Sequence, residues 1–111
     1  MTLVRVCRVE DLPPGKAICL KGAVAVAIFN VGGSFFAVSD ECTHAKASLS
    51  EGYLEGEIIE CPLHRARFSV KTGVALSLPA IRSLQTFEVR IIDGHVHVAR
   101  SAGEGAADGI A

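Results

Sequence analysis

Two Cys–His pairs constrain this chain more than anything else in it. Cys42-Thr43-His44 and Cys61-Pro62-Leu63-His64 each join one thiol to one imidazole, and sixteen residues, Ala45 to Glu60, separate them. Each pair follows a stretch that reads as a strand end, Val38 before the first and Ile59 before the second. If four ligand-type side chains are to serve one point, the fold must set two hairpin-like loops side by side. Without an export signal, Cys beside His reads as a metal site rather than as half of a disulfide. Cys7 and Cys19 have no such neighbour and are expected to behave as small buried apolar residues.

Three chemistries use thiol and imidazole together. A zinc site accepts two Cys and two His, but its paired ligands usually stand about two to four residues apart. Only one residue intervenes in the first pair, which is tight for chelating a single ion. A Cys–His nucleophilic dyad leaves the duplicated pattern unexplained. An iron–sulfur centre suits the spacing better: the two members of each pair bind different metals, both thiolates on one iron and both imidazoles on the other.

The surrounding chain reads as strands between turns. Residues 3–9 form an expected strand, ended by Asp11-Leu12-Pro13-Pro14-Gly15; residues 16–20 and 23–29 follow, then a turn at Asn30-Val31-Gly32-Gly33 and a strand at 34–38. Phe87, Val89 and Ile91 alternate with Thr86, Glu88 and Arg90. After the turn Asp93-Gly94, Val96 and Val98 alternate with His95 and His97. The two histidines share a face that is expected to be an exposed sheet surface, although that spacing can also hold a metal ion. Residues 57–60 read as one short strand with loops on both flanks, and Gly52, Gly56 and Gly73 as turn residues. With no long 3.6-residue pattern, the expectation is an all-β fold, an antiparallel sandwich or small barrel.

Length and charge exclude several classes. The 111 residues suit one domain, residues 1–100, followed by an Ala- and Gly-rich tail at 101–111 that is expected to be mobile or loosely docked. Eleven Lys and Arg against twelve Asp and Glu give a charge of −1, so no basic field points to nucleic acid. Met1-Thr2-Leu3-Val4-Arg5 is no secretory signal, and the longest apolar run, 23–29, falls far short of the roughly 20 residues that span a bilayer. A soluble, cytoplasmic protein without membrane contact is expected.

The pattern C-x-H, sixteen residues, C-x-x-H resembles the Rieske iron–sulfur motif. The stretch Cys42-Thr43-His44-Ala45-Lys46-Ala47-Ser48-Leu49-Ser50-Glu51-Gly52 is similar to the first cluster loop of ferredoxins serving bacterial ring-hydroxylating dioxygenases. Leu78-Pro79 resembles the proline loop, about 78–80, that covers the cluster, and the likeness runs from about residue 4 to 98. The resemblance implies a Rieske fold with a small cluster-binding subdomain at about 40–68. It implies one [2Fe–2S] cluster, with Cys42 and Cys61 on the buried iron and His44 and His64 on the outer iron through Nδ. The implied role is single-electron carriage, not catalysis. Electrons would come from an NAD(P)H-dependent flavoprotein ferredoxin reductase and leave, at His44 or His64, for a terminal Rieske non-haem iron oxygenase of an aromatic-ring-hydroxylating dioxygenase. The alternative is a permanently bound small Rieske subunit, as in nitrite reductase.

Respiratory members of the family carry a further Cys in each loop, joined as a disulfide, and a membrane anchor. The matching positions here are Ala47 and Leu63. Those members also place a Ser and a Tyr after the second His, whose hydroxyls bond the cluster sulfurs; here Ala66 and Phe68 stand instead. The resemblance thus implies a potential at the low end of the Rieske range. Arg65 occupies a position where Gly is frequent, a departure from the ferredoxin pattern. Lys46, Arg65 and Arg67 suggest a basic rim for an acidic partner surface, the plain alternative being ordinary solvated charge.

Overall fold

The computed structural model describes residues 2–22, 24–43, 46–63, 65–78 and 82–100. The strands are β1 (Thr2–Arg8), β2 (Ala17–Leu20), β3 (Val26–Val31), β4 (Ser34–Ser39), β5 (Tyr53–Glu55), β6 (Ile58–Glu60), β7 (Arg67–Ser69), β8 (Thr86–Phe87), β9 (Val89–Ile92) and β10 (His95–Arg100). They form three antiparallel sheets, ordered β1-β10-β9, β2-β3-β4-β8 and β5-β6-β7. The all-β expectation holds. Among the described residues no helix is long and apolar enough to cross a membrane.

β3 shows why the sheets stack as they do. Val26-Ala27-Ile28-Phe29 carries no polar residue on either face, and all four side chains are fully buried. A strand of that kind needs cover on both sides. Because side chains alternate along a strand, Val26 and Ile28 pack with Leu12, Ala37, Phe87, Val96 and Val98 in one core. Ala27 and Phe29 enter a second core with Val38, Leu49, Ile59, Phe68 and both Cys42 and Cys61. The central sheet is thereby sandwiched between the terminal sheet and the small β5-β6-β7 sheet.

The turns follow their residues. Gly32 and Gly33, at φ of 59° and 99°, close β3 onto β4, and Asp93 and Gly94, at 49° and 74°, close β9 onto β10. Positive φ at both central residues matches the right-handed twist of a two-residue hairpin.

Three local expectations need correction. β3 runs to Val31 rather than stopping at residue 29, since Asn30 pairs with Phe35 and Val31 with Ser34. Asn30 reads as a turn former, yet it is buried because its amide donates to the Leu12 carbonyl at 2.7 Å and its oxygen accepts from the Gly33 N–H at 2.8 Å. The flanks of residues 58–60 are not loops throughout but contain β5 and β7, each only three residues long and too short to show a period. Cys7 and Cys19 are free thiols, as expected, but half-buried rather than buried; Cys19 lies on β2, an edge strand.

His95 and His97 do share the outer face of β10, half-buried, each with Nδ1 against a backbone carbonyl of its own chain segment, at 3.0 and 3.2 Å. His44, His64, Pro79, Ala80 and the tail 101–111 lie outside the described residues.

Candidate metal centre

Two loops of matching build project from the core that holds the cysteines. The first leaves β4, and Glu41 bridges Ser48 at its base. Immediately inside that bridge the Cys42 N–H donates to the Ala47 carbonyl at 3.1 Å. The second loop joins β6 to β7, whose last register pair is Glu60 with Arg67. Immediately inside that pair the Cys61 N–H donates to the Ala66 carbonyl at 2.8 Å. Each cysteine therefore occupies the same place, one step past the final cross-strand pair.

Both cysteines are buried, 4% and 0% exposed, and both are free. Burial pushes the Cys61 thiol up, its hydrogen bond with Cys42 adds to the rise, and a Leu63 N–H directed at its sulfur works the other way. The two cysteines thus share one buried core with Leu49, Ile59, Ala66 and Phe68. Among the four site residues expected from sequence, the structure brings Cys42 and Cys61 together; His44 and His64 fall outside the described residues.

The loops approach one another through backbone. Gly52 has an ordinary φ of −82°, but a Cβ built there would overlap the Glu60 carbonyl. Gly52 is therefore required for space, not only for turning, and it lets the end of the first loop lie against the residue that precedes Cys61. Arg65 adopts φ 61°. That left-handed conformation suits Gly best, so Arg65 holds a backbone position that a side chain rarely adopts.

Charge around the loops is more ordered than the sequence suggests. The shielded Glu60 carboxylate accepts from Arg65 Nε at 3.3 Å and Arg67 Nε at 3.2 Å, so two cations of the expected rim share one anion. Leu63, which lies between Glu60 and Arg65 in sequence, stands 45% exposed, and Leu78 stands 79% exposed.

Sequence reasoning passed over Asp40 as a mere loop boundary. It is buried, its Oδ2 accepts from Ser48 Oγ at 2.6 Å, and its Oδ1 accepts from the Ser50 N–H at 2.8 Å. An Asp at a strand end followed by Ser-x-Ser is the signal that points to such an arrangement.

A family model for the Rieske [2Fe–2S] domain matches residues 2–88. The chain is 46% identical over 99 residues to the 3-phenylpropionate/cinnamic acid dioxygenase ferredoxin subunit of Escherichia coli (strain K12), covering 88% of this chain and 93% of that one. It superposes with a TM-score of 0.85 and 43% identity on a chain from the complex of reduced oxygenase and oxidised ferredoxin in carbazole 1,9a-dioxygenase, covering 87% of this chain and 92% of that one. The carbazole 1,9a-dioxygenase ferredoxin of Nocardioides aromaticivorans IC177 superposes with a TM-score of 0.86 at 34% identity, covering 91% and 100%. With paired buried thiols on twin loops and a match over most of its length, the chain belongs to the Rieske [2Fe–2S] domain family.

Proposed function

We propose that this chain is the ferredoxin of a multicomponent aromatic-ring-hydroxylating dioxygenase. In this reading it carries single electrons from an NAD(P)H-dependent flavoprotein reductase to the terminal oxygenase and performs no reaction on the aromatic substrate. The observation that carries the reading is the meeting of two reduced, buried thiols, Cys42 and Cys61, at equivalent places on two loops. The donor set fits the family's cofactor: soft thiolates select iron–sulfur centres, and the Leu63 N–H offsets their charge in an apolar surround. His44 and His64 are assigned as the remaining donors, on the motif spacing. When bound, the [2Fe–2S] cluster takes up and releases one electron.

The chain's own residues do the rest. Leu49, Ile59 and Phe68 exclude water from the sulfur side. Leu63 offers apolar contact on the second loop, and Lys46, Arg65 and Arg67 supply positive charge for an acidic partner surface. The relatives reported above are dioxygenase ferredoxins, which favours this role over that of a bound nitrite reductase subunit. The free thiols of Cys7 and Cys19 suit a reducing, cytoplasmic setting.

The test is anaerobic purification followed by metal, sulfide and spectroscopic assay. About two iron and two acid-labile sulfide per chain are expected. The reduced protein should give a paramagnetic resonance signal whose average g lies below the free-electron value, and a flavoprotein reductase should reduce it. A colourless protein, stoichiometric in zinc and free of sulfide, refutes the reading.

A further inference from the structure

Asp40 is 6% exposed, and among the described residues no basic side chain lies within ion-pair distance of it. A buried carboxylate is costly unless donors surround it. Here they do. Ser48 Oγ donates to it at 2.6 Å and the Ser50 N–H at 2.8 Å, and the Cys19 thiol on β2, pushed up first by burial and then by Asp40, keeps its proton beside this carboxylate. The backbone is committed too: the Asp40 N–H donates to the Ala25 carbonyl at 2.9 Å, and its carbonyl accepts from the Leu49 N–H at 2.7 Å.

The placement gives these bonds a purpose beyond solvating one anion. Asp40 is the first residue after β4, where the first loop begins; Ser48 to Ser50 is where that loop ends. One side chain therefore ties the two ends of the loop together, and Ser48 Oγ to Ser50 Oγ at 2.9 Å completes the knot. Without it, the loop base would rest on the Glu41–Ser48 bridge, the Leu49 N–H bond to the Asp40 carbonyl and the Cys42 bond to Ala47, with Glu41 exposed. Among the described residues the second loop shows no counterpart inside the core; its ionic tie, Glu60 with Arg65 and Arg67, lies toward solvent.

We propose that Asp40 is a positioning residue for the metal centre: its carboxylate locks the neck of the first loop and so holds Cys42 opposite Cys61. The inference rests on the assignment of those cysteines as ligands. A residue that merely stabilised the fold would act through the global melting point, so the test separates local from global opening.

The experiment uses the purified iron–sulfur protein and four variants, Asp40→Ala, Asp40→Asn, Ser48→Ala and Val98→Ala. Val98 is buried in the other core and serves as the global control. Amide exchange at Leu49 and Ser50 is measured together with the melting point and the rate of visible-absorbance loss in the presence of an iron chelator. Asp40→Ala should speed exchange at both amides and loss of absorbance by about tenfold or more, the scale of one lost hydrogen bond to a charged group. Asp40→Asn keeps volume and one acceptor oxygen and should fall between, and Ser48→Ala should speed loss a few-fold. Val98→Ala should lower the melting point while leaving both rates near those of the parent.

Unchanged exchange in the Asp40 variants, or absorbance loss that follows melting point on one line with Val98→Ala, overturns the proposal. If Asp40→Ala does not fold, Asp40→Asn and Ser48→Ala decide it by the same criteria. A parent protein without iron would instead sink the ligand assignment, while the exchange rates would still report on the neck.

Discussion

Replacing Gly52 with Ala tests whether the two loops depend on backbone contact. The added methyl overlaps the Glu60 carbonyl and lies 3.2 Å from the Leu49 oxygen. Both obstacles are main chain, so no rotamer change relieves them. Forced overpacking of this kind costs about 1–3 kcal/mol. Alanine's lower entropy in the unfolded chain returns roughly 0.4–1 kcal/mol. The net loss is about 1–2 kcal/mol, or a melting point lower by roughly 5–15 °C for a domain near this size. Gly56→Ala is the matched control. It meets no heavy atom within 4 Å but sits at φ 59°, so its cost, about 1 kcal/mol, is purely conformational. The variants should part company in metal content. Gly52→Ala shifts Glu60 and with it Cys61, so iron and sulfide per chain should fall, whereas Gly56→Ala should keep the parent value. Circular dichroism melts and iron and sulfide assays read both. A Gly52→Ala protein that melts within about 2 °C of the parent, or that melts lower yet binds iron fully, refutes the argument.

Other perturbations probe separate parts of the molecule. Ala66→Ser and Phe68→Tyr supply hydroxyls in the core that holds both cysteines. A hydroxyl that bonds a cluster sulfur about 1.4 kcal/mol more strongly after reduction should raise the potential by about 60 mV in protein-film voltammetry. Arg65→Glu puts an anion beside Glu60 and reverses a charge that is 84% exposed. Electron transfer to the oxygenase in stopped flow should slow, and its dependence on ionic strength should weaken. Cys7 is pushed up first by burial and then by Asp11. Its folded form holds the proton longer than its unfolded form, so its stabilising contribution is complete below the unfolded thiol value, about 8.5, and fades as pH rises through the folded one. Cys7→Ala should therefore flatten the alkaline decline of the melting point, and an unchanged decline above about pH 8.5 counts against the assignment.

Much of this architecture could be read from the chain because it follows from local chemistry. The alternation of Phe87, Val89 and Ile91 and of Val96 and Val98, split by Asp93-Gly94, specifies a hairpin on its own. The paired Cys–His spacing specifies two loops. What stayed hidden depends on contacts distant in sequence. Asn30 looks like a turn residue until the Leu12 carbonyl satisfies it from 18 positions away. β5 and β7 exist because each pairs with β6 over an apolar inner face, Leu54, Ile59 and Phe68, and three residues are too few to announce a period. Asp40 shows its importance only once Ser48 and Ser50 fold back upon it. The demand on Gly52 comes from Glu60, a neighbour that only the folded chain supplies.

The doubly covered strand β3 works as a party wall between two tenants. Odd positions, Ala27 and Phe29, furnish the room with the sulfurs; even positions, Val26 and Ile28, furnish the other. Substitutions at the even sites act on the core without Cys42 and Cys61, while substitutions at the odd sites act on the core that holds them. Alternate letters of one short word thus address two separate cores.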